Sequence, residues 1–152
     1  MRGLYALLLL LPSLTGTAQL LSFDEWYDRS GTDLYLKPRF GDRGAGEVNN
    51  TVDQDVFVAI MNNRNRQRAI SDSLCKLGFE RLKKSDHVGS MHRFNEAWLA
   101  MPINPEVYRA FGAYFRSMKR PLEAHDHYEA GIALDSTYAP LQIGRASCRE
   151  RV

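Results

Sequence analysis

The sequence predicts an all-α protein made of paired helices. Two observations carry that expectation: an internal self-similarity at a shift of 34 residues, and apolar residues recurring at helical spacing within each half of the repeat. Under the shift Leu74 falls on Tyr108, Leu77 on Phe111, Gly78 on Gly112, Ser90 on Ala124, Phe94 on Tyr128, Ala97 on Gly131 and Trp98 on Ile132. Large apolar positions meet large ones, and small positions meet small. Proline supplies a third observation, because Pro102 closes the first unit where a helix cannot continue, and its counterpart is Ser136.

In chain order, Arg2 precedes an apolar stretch from Leu4 to Leu11, then Pro12, then Gly16-Thr17-Ala18. This is the pattern of a secretory signal over residues 1–18, with cleavage predicted after Ala18. A membrane anchor needs about 20 apolar residues, so no stable membrane span is expected once the signal is removed. Residues 19–50 lack a sustained period and are punctuated by Gly31, Pro38, Gly41, Gly44 and Gly46, which predicts irregular and extended chain. The alternation Leu34, Leu36 is compatible with a short strand. The aromatic residues Phe23, Trp26, Tyr27, Tyr35 and Phe40 are too many for a plain linker, and some are expected to pack on the helices that follow. Within residues 51–70, Val52, Val56, Ala59 and Ile60 recur at helical spacing behind Asp53 and Asp55, so a helix is predicted from about Val52 to Asn62.

Two repeats follow, over residues 71–104 and 105–138, with first helices predicted at about Ser71–Lys84 and Pro105–Ser117. Gly78 and Gly112 let each pair close tightly, Ser90 and Ala124 face them, and Phe94 and Tyr128 fill the space one turn on. A further element begins near Ala139. The last ten residues, Ile143–Val152, read IGRASCRERV. They match codon for codon the translation of a sequencing-adapter oligonucleotide, so residues 143–152 are expected to be a non-native tail that adds no packing to a truncated chain.

Setting both ends aside changes the charge reading. The whole chain carries a formal +2. From Gln19 to Gln142, 16 Lys plus Arg (20 less Arg2, Arg145, Arg149 and Arg151) face 17 Asp plus Glu (18 less Glu150), a net charge of minus one. A nucleic-acid partner therefore has no electrostatic support. With Cys148 in the tail, Cys75 stands alone and no internal disulfide framework is expected. His125 and His127 lie two apart on a helix and do not share a face, and His87 and His92 sit at a turn and on the next helix. None has metal-ligand spacing, and the histidines are expected to face solvent. No phosphate-binding glycine loop, nucleophile elbow or H-E-x-x-H motif occurs. No catalysis and no cofactor are expected.

The register of an aromatic or leucine, then Leu-Gly, a small residue, an aromatic and a proline resembles the tetratricopeptide repeat from about Ser71 to Tyr138. The segments SLCKLGFERLKKSD and MHRFNEAWLAMPINPEVYRAFGAYF are similar to a subgroup of exported bacterial repeat proteins. Arg81, Gly131 and Ser136 depart from the pattern. The resemblance implies an exported, periplasmic or secreted scaffold that binds a protein or peptide. The alternative it leaves open is the adaptor portion of a larger envelope enzyme or transport complex. It also implies a binding face on first-helix positions Asp72, Cys75, Phe79, Leu82 and Lys83, with equivalents Glu106, Arg109, Ala113, Arg116 and Ser117. Lys83, Arg109 and Arg116 are the candidate cations for an acidic segment, over an apolar floor of Phe79 and Leu82. Two other readings stay open: a merely solvated helix face, and a groove filled in cis by residues 22–50.

Overall fold

The computed structural model describes residues 20–43, 55, 58, 60 and 62–149. The predicted signal segment lies outside them, as does most of the helix expected from Val52; Asp55, Val58, Ile60 and Asn62 are described and helical, with Ile60 buried. The fold is all-α, with no strand among the described residues. None of the described helices is long and apolar enough to cross a membrane.

The segment expected to be irregular holds a helix. Helix α1 (Phe23–Ser30) starts at a reciprocal cap, in which Ser22 Oγ accepts the Glu25 N–H at 3.3 Å and Glu25 Oε2 accepts the Ser22 N–H at 2.9 Å. That Ser-x-x-Glu signal is in the sequence and outweighs the flanking glycines. Leu34–Leu36 is a 3₁₀ turn and not a strand, with Leu36 fully buried. Residues Arg39–Asp42 form a left-handed turn, with φ of 54°, 54°, 73° and 66° in order. Such φ values at three non-glycine residues are costly and persist only where packing fixes them; here Phe40 is buried under the array.

Helices α2 (Gln67–Lys83) and α3 (His87–Ala100) form the first pair, and α4 (Pro105–Ser117) and α5 (Pro121–Leu134) the second. The 34-residue repeat is written in the backbone as well as in the sequence. Ser85 and Lys119, 34 apart, both sit at φ 60°, and the Asp86 and Arg120 N–H groups reach back to the Arg81 and Phe115 carbonyls, both at 3.0 Å. This is the Schellman closure of a helix end, twice over. The second helices end alike, with Met101 N–H on the Ala97 carbonyl at 3.1 Å and Asp135 N–H on the Gly131 carbonyl at 3.0 Å. Inside each pair the glycines have the predicted role: a Cβ on Gly78 would lie 2.3 Å from the Phe94 ring, and one on Gly112 2.5 Å from the Tyr128 ring. Leu77 does not behave like its counterpart Phe111, since it is 47% exposed at the leading edge of the array whereas Phe111 is fully buried.

Helix α6 (Ala139–Arg149) overturns the expectation that the tail adds no packing. Leu141, Gly144 and Cys148 fall on one face, Leu141 and Cys148 are buried, and Arg145 reaches Glu129 at 3.1 Å. A peptide of any origin extends a helix already begun when small and apolar residues recur at that spacing. The packing thus follows from residue pattern and is silent on where the ten residues came from.

The histidines are also corrected, since His87 is buried and His92, His125 and His127 are each partly covered. Residues 20–43 lie across α3, the end of α4 and the start of α5, and three of these imidazoles are beneath them. Trp26 packs edge-on against Phe115 with centroids 5.1 Å apart, Tyr35 lies 4.7 Å from His92, and Asn95 Nδ2 donates to the Tyr35 and Lys37 carbonyls at 2.8 and 2.9 Å.

Candidate functional site

Stepping by four along α2 from Arg68 gives Asp72, Lys76 and Glu80, and an adjacent row gives Phe79 and Lys83. These residues, with Glu106 and Arg109 of α4 and Tyr138 ahead of α6, line a groove of about 470 Å³ on the first-helix side of the array. Phe79, Lys83 and Arg109 of the sequence-derived face are brought together there. Leu82 is partly buried against the core and is not in the lining, and Arg116 is exposed elsewhere. Arg116 lines a separate cleft of about 220 Å³ with Lys119, Arg120, Pro121, Ser147 and Cys148. The three cations therefore do not converge.

Cys75 is fully buried, which corrects its placement on the face. The next repeat covers it: Glu106 and Arg109 lie over the position, and burial, then the Glu106 and Asp72 carboxylates, push its thiol far above the usual range. Its counterpart Arg109 has no such cover and reaches the groove.

The lining is organised around Glu106. Its carboxylate accepts two bonds from the Arg109 guanidinium, at 2.6 and 2.5 Å, and one from the Tyr138 hydroxyl at 2.6 Å. Bidentate pairing of this kind fixes geometry as well as charge. The Glu106 hydrogen bond, ahead of the cost of burial, holds Arg109 above the usual arginine range. Burial, then the Glu106 contact, pushes the Tyr138 hydroxyl up to about 12, so it stays a donor at neutral pH. The Arg109 guanidinium lies 4.2 Å over the Phe79 ring, placing an oriented cation on an aromatic floor.

A second knot joins the repeats. Asn104 is fully buried; its Nδ2 donates to Ser71 Oγ and Asp72 Oδ1, both at 2.8 Å, while its Oδ1 caps α4 through the Glu106 N–H at 3.0 Å. Ser71 Oγ donates in turn to the Ala97 carbonyl at 2.8 Å. Arg68 Nε bonds Asp72 at 3.1 and 3.2 Å. Arg68 and Arg109 are thus neutralised within the groove, whereas Lys76 and Lys83 make no ion pair among the described residues. The unpaired charge of the groove lies on α2, where Lys76 and Lys83 stand with Glu80, which likewise makes no ion pair among the described residues.

The reading in which residues 22–50 fill the groove is not met by residues 20–43, which pack on the α3 and α5 side. Sequence reasoning named Phe79, Lys83 and Arg109 but missed Arg68, Lys76, Glu80 and Tyr138. The first three follow from extending the four-residue step through Asp72; Tyr138 has no such signal, since only the fold carries it to Glu106. No family model, curated protein or solved structure matches this chain, and the fold and the groove geometry alone carry its functional reading.

Proposed function

We propose that the chain is an exported protein-binding scaffold of tetratricopeptide type, without catalysis, that takes an extended segment of a partner in the first-helix groove. The observation that carries this reading is the groove itself: an aromatic floor capped by a fixed guanidinium, with Lys76 and Lys83 beside it in no ion pair among the described residues, and no cover from residues 20–43. Apolar anchoring over Phe79 with charge selection at the rim is how helical arrays commonly hold peptides. Because Glu106 already satisfies Arg109, the recognition of an acidic residue in the partner passes to Lys76 and Lys83, and Arg116 has no part in it. The export reading rests on the signal pattern of residues 1–18 in the sequence.

Selection of random peptides displayed on phage tests the proposal. Peptides enriched on the chain are expected to carry an aromatic or aliphatic residue near an acidic one, and to lose binding to a Phe79→Ser, Lys83→Glu double variant. Enrichment that is indifferent to that variant contradicts it.

A further inference from the structure

Three imidazoles sit between the helical array and the strap formed by residues 20–43, each against a different part of it. His87 Nδ1 lies 3.0 Å from the Leu21 N–H, and its Nε2 lies 3.1 Å from Ser117 Oγ. Ser117 Oγ already donates to the Tyr114 carbonyl at 2.6 Å, so it accepts from Nε2 and leaves Nδ1 as the acceptor for Leu21. A protonated ring gives up the Leu21 N–H and turns Nδ1–H to the Leu21 carbonyl, 3.1 Å away, a contact that offsets part of the cost of burial. His92 lies 4.7 Å from the Tyr35 ring, with its Nε2 buried and unpartnered. His127 stacks on Phe115 at 5.3 Å and faces the strap residues Trp26, Arg39, Gly41 and Asp42 across a cleft.

From this arrangement we infer that the strap is an acid-released latch: protonation of His87, His92 and His127 detaches residues 20–43 from α3, α4 and α5 while the helix pairs remain folded.

The charges around each ring do not cancel the effect. Asp86 faces His87 and His92, but it is held by Arg81 at 2.8 Å and caps Gly89. Asp33, Arg93 and Arg81 also face His92, and Asp33 already accepts the Tyr35 N–H. Around His127 stand Lys37, Arg39 and Asp42 of the strap, the last two paired with each other at 2.6 Å, together with Glu123 and Asp126 of its own helix. Glu123 is taken by Arg120, whose guanidinium lies 3.9 Å over Phe23 of the strap. The Tyr35 face offsets part of the cost at His92. Desolvation is the leading cause at all three, and it lowers each: His87 and His92 below the usual histidine range, and His127 to about 4. Release of the strap uncovers the strap-facing side of each ring, while Phe111 and Phe115 stay against His127, so each ring takes a proton more readily when the strap is released than when it is docked. The docked state therefore binds fewer protons; docking is strongest above pH 6.5 and is lost as pH falls toward 4. His127 multiplies the released-to-docked ratio by at most about 20-fold between pH 7 and pH 5, and the other two act in the same direction.

The test uses the full chain carrying Trp98→Phe, so that Trp26 is the one fluorescent indole, followed by emission alongside helix content at 222 nm. The expected result is a red shift of Trp26 with a midpoint between pH 6.5 and 4, with helix content held, and abolished by His87→Gln, His92→Phe and His127→Phe together. Should the triple variant misfold, the single His127→Phe change is expected to leave a weaker transition, by up to about 20-fold between pH 7 and pH 5. A Trp26 signal flat to pH 4, one that moves only with helix content, or one unchanged in these variants would overturn the latch.

Discussion

Gly112 shows how much one missing methyl group decides. The Tyr128 ring lies between Gly112 of α4 and Gly144 of α6, and a Cβ on either would stand 2.5 Å from its Cε1. The ring has nowhere to move. Gly112→Ala is expected to cost about 1–3 kcal/mol, as overpacking of a tight core does, and thermal melting should fall by several degrees; an unchanged melt would show that the pair is looser than described. Lys119 makes the opposite case. It holds φ 60° without being glycine, a conformation that penalises any side chain. Lys119→Gly is expected to raise stability by about 0.5–1 kcal/mol in denaturant unfolding.

Both glycines of the repeat were readable, because a small residue meeting an aromatic recurs at a fixed interval. Cys75 was not. Periodicity gives the angle at which a residue leaves its helix, yet Cys75 and Arg109 share that angle and differ in burial only because another repeat lies over the first. The burial of His87 and His127 was hidden for a related reason: their cover comes from residues far away in sequence.

At the scale of elements, the two first helices of the repeats were legible to within a few residues. The first begins at Gln67, ahead of the expected Ser71, and α4 runs over the predicted Pro105–Ser117. Helix α1 was legible through Ser22 and Glu25, whose capping box is short-range chemistry that a count of nearby glycines obscured. The turn at Arg39–Asp42 was not, since nothing local asks three non-glycine residues to adopt positive φ. Helix α6 has a consequence that can be measured. Truncation after Gln142 removes buried Cys148, the Arg145–Glu129 pair and the contact of Gly144 with Tyr128. It is expected to lower the melting temperature by several degrees, because burial of even a small apolar face is worth on the order of 1–3 kcal/mol. A melt unchanged by the truncation would return residues 143–152 to the status of an appended tail without packing.

Over the whole molecule, the helix pairs and the strap divide the work. The strap covers the second helices, and the first helices keep a groove whose lining is held by Glu106 and Asn104. The sequence could place Phe79, Lys83 and Arg109 on a common side. It could not show that Arg109 is already neutralised, or that Arg116 is turned toward another cleft, because ion pairing across repeats depends on distances that spacing does not specify. That difference moves the recognition of an acidic partner from α4 to α2. The most direct measurement is chemical-shift mapping of the ¹⁵N-labelled chain with the strongest peptide from the display selection. Perturbations are predicted to cluster on Asp72, Lys76, Phe79, Lys83 and Arg109 and to leave Arg116 unmoved; a cluster around Arg116, Lys119 and Arg120, or on the strap, would contradict the account.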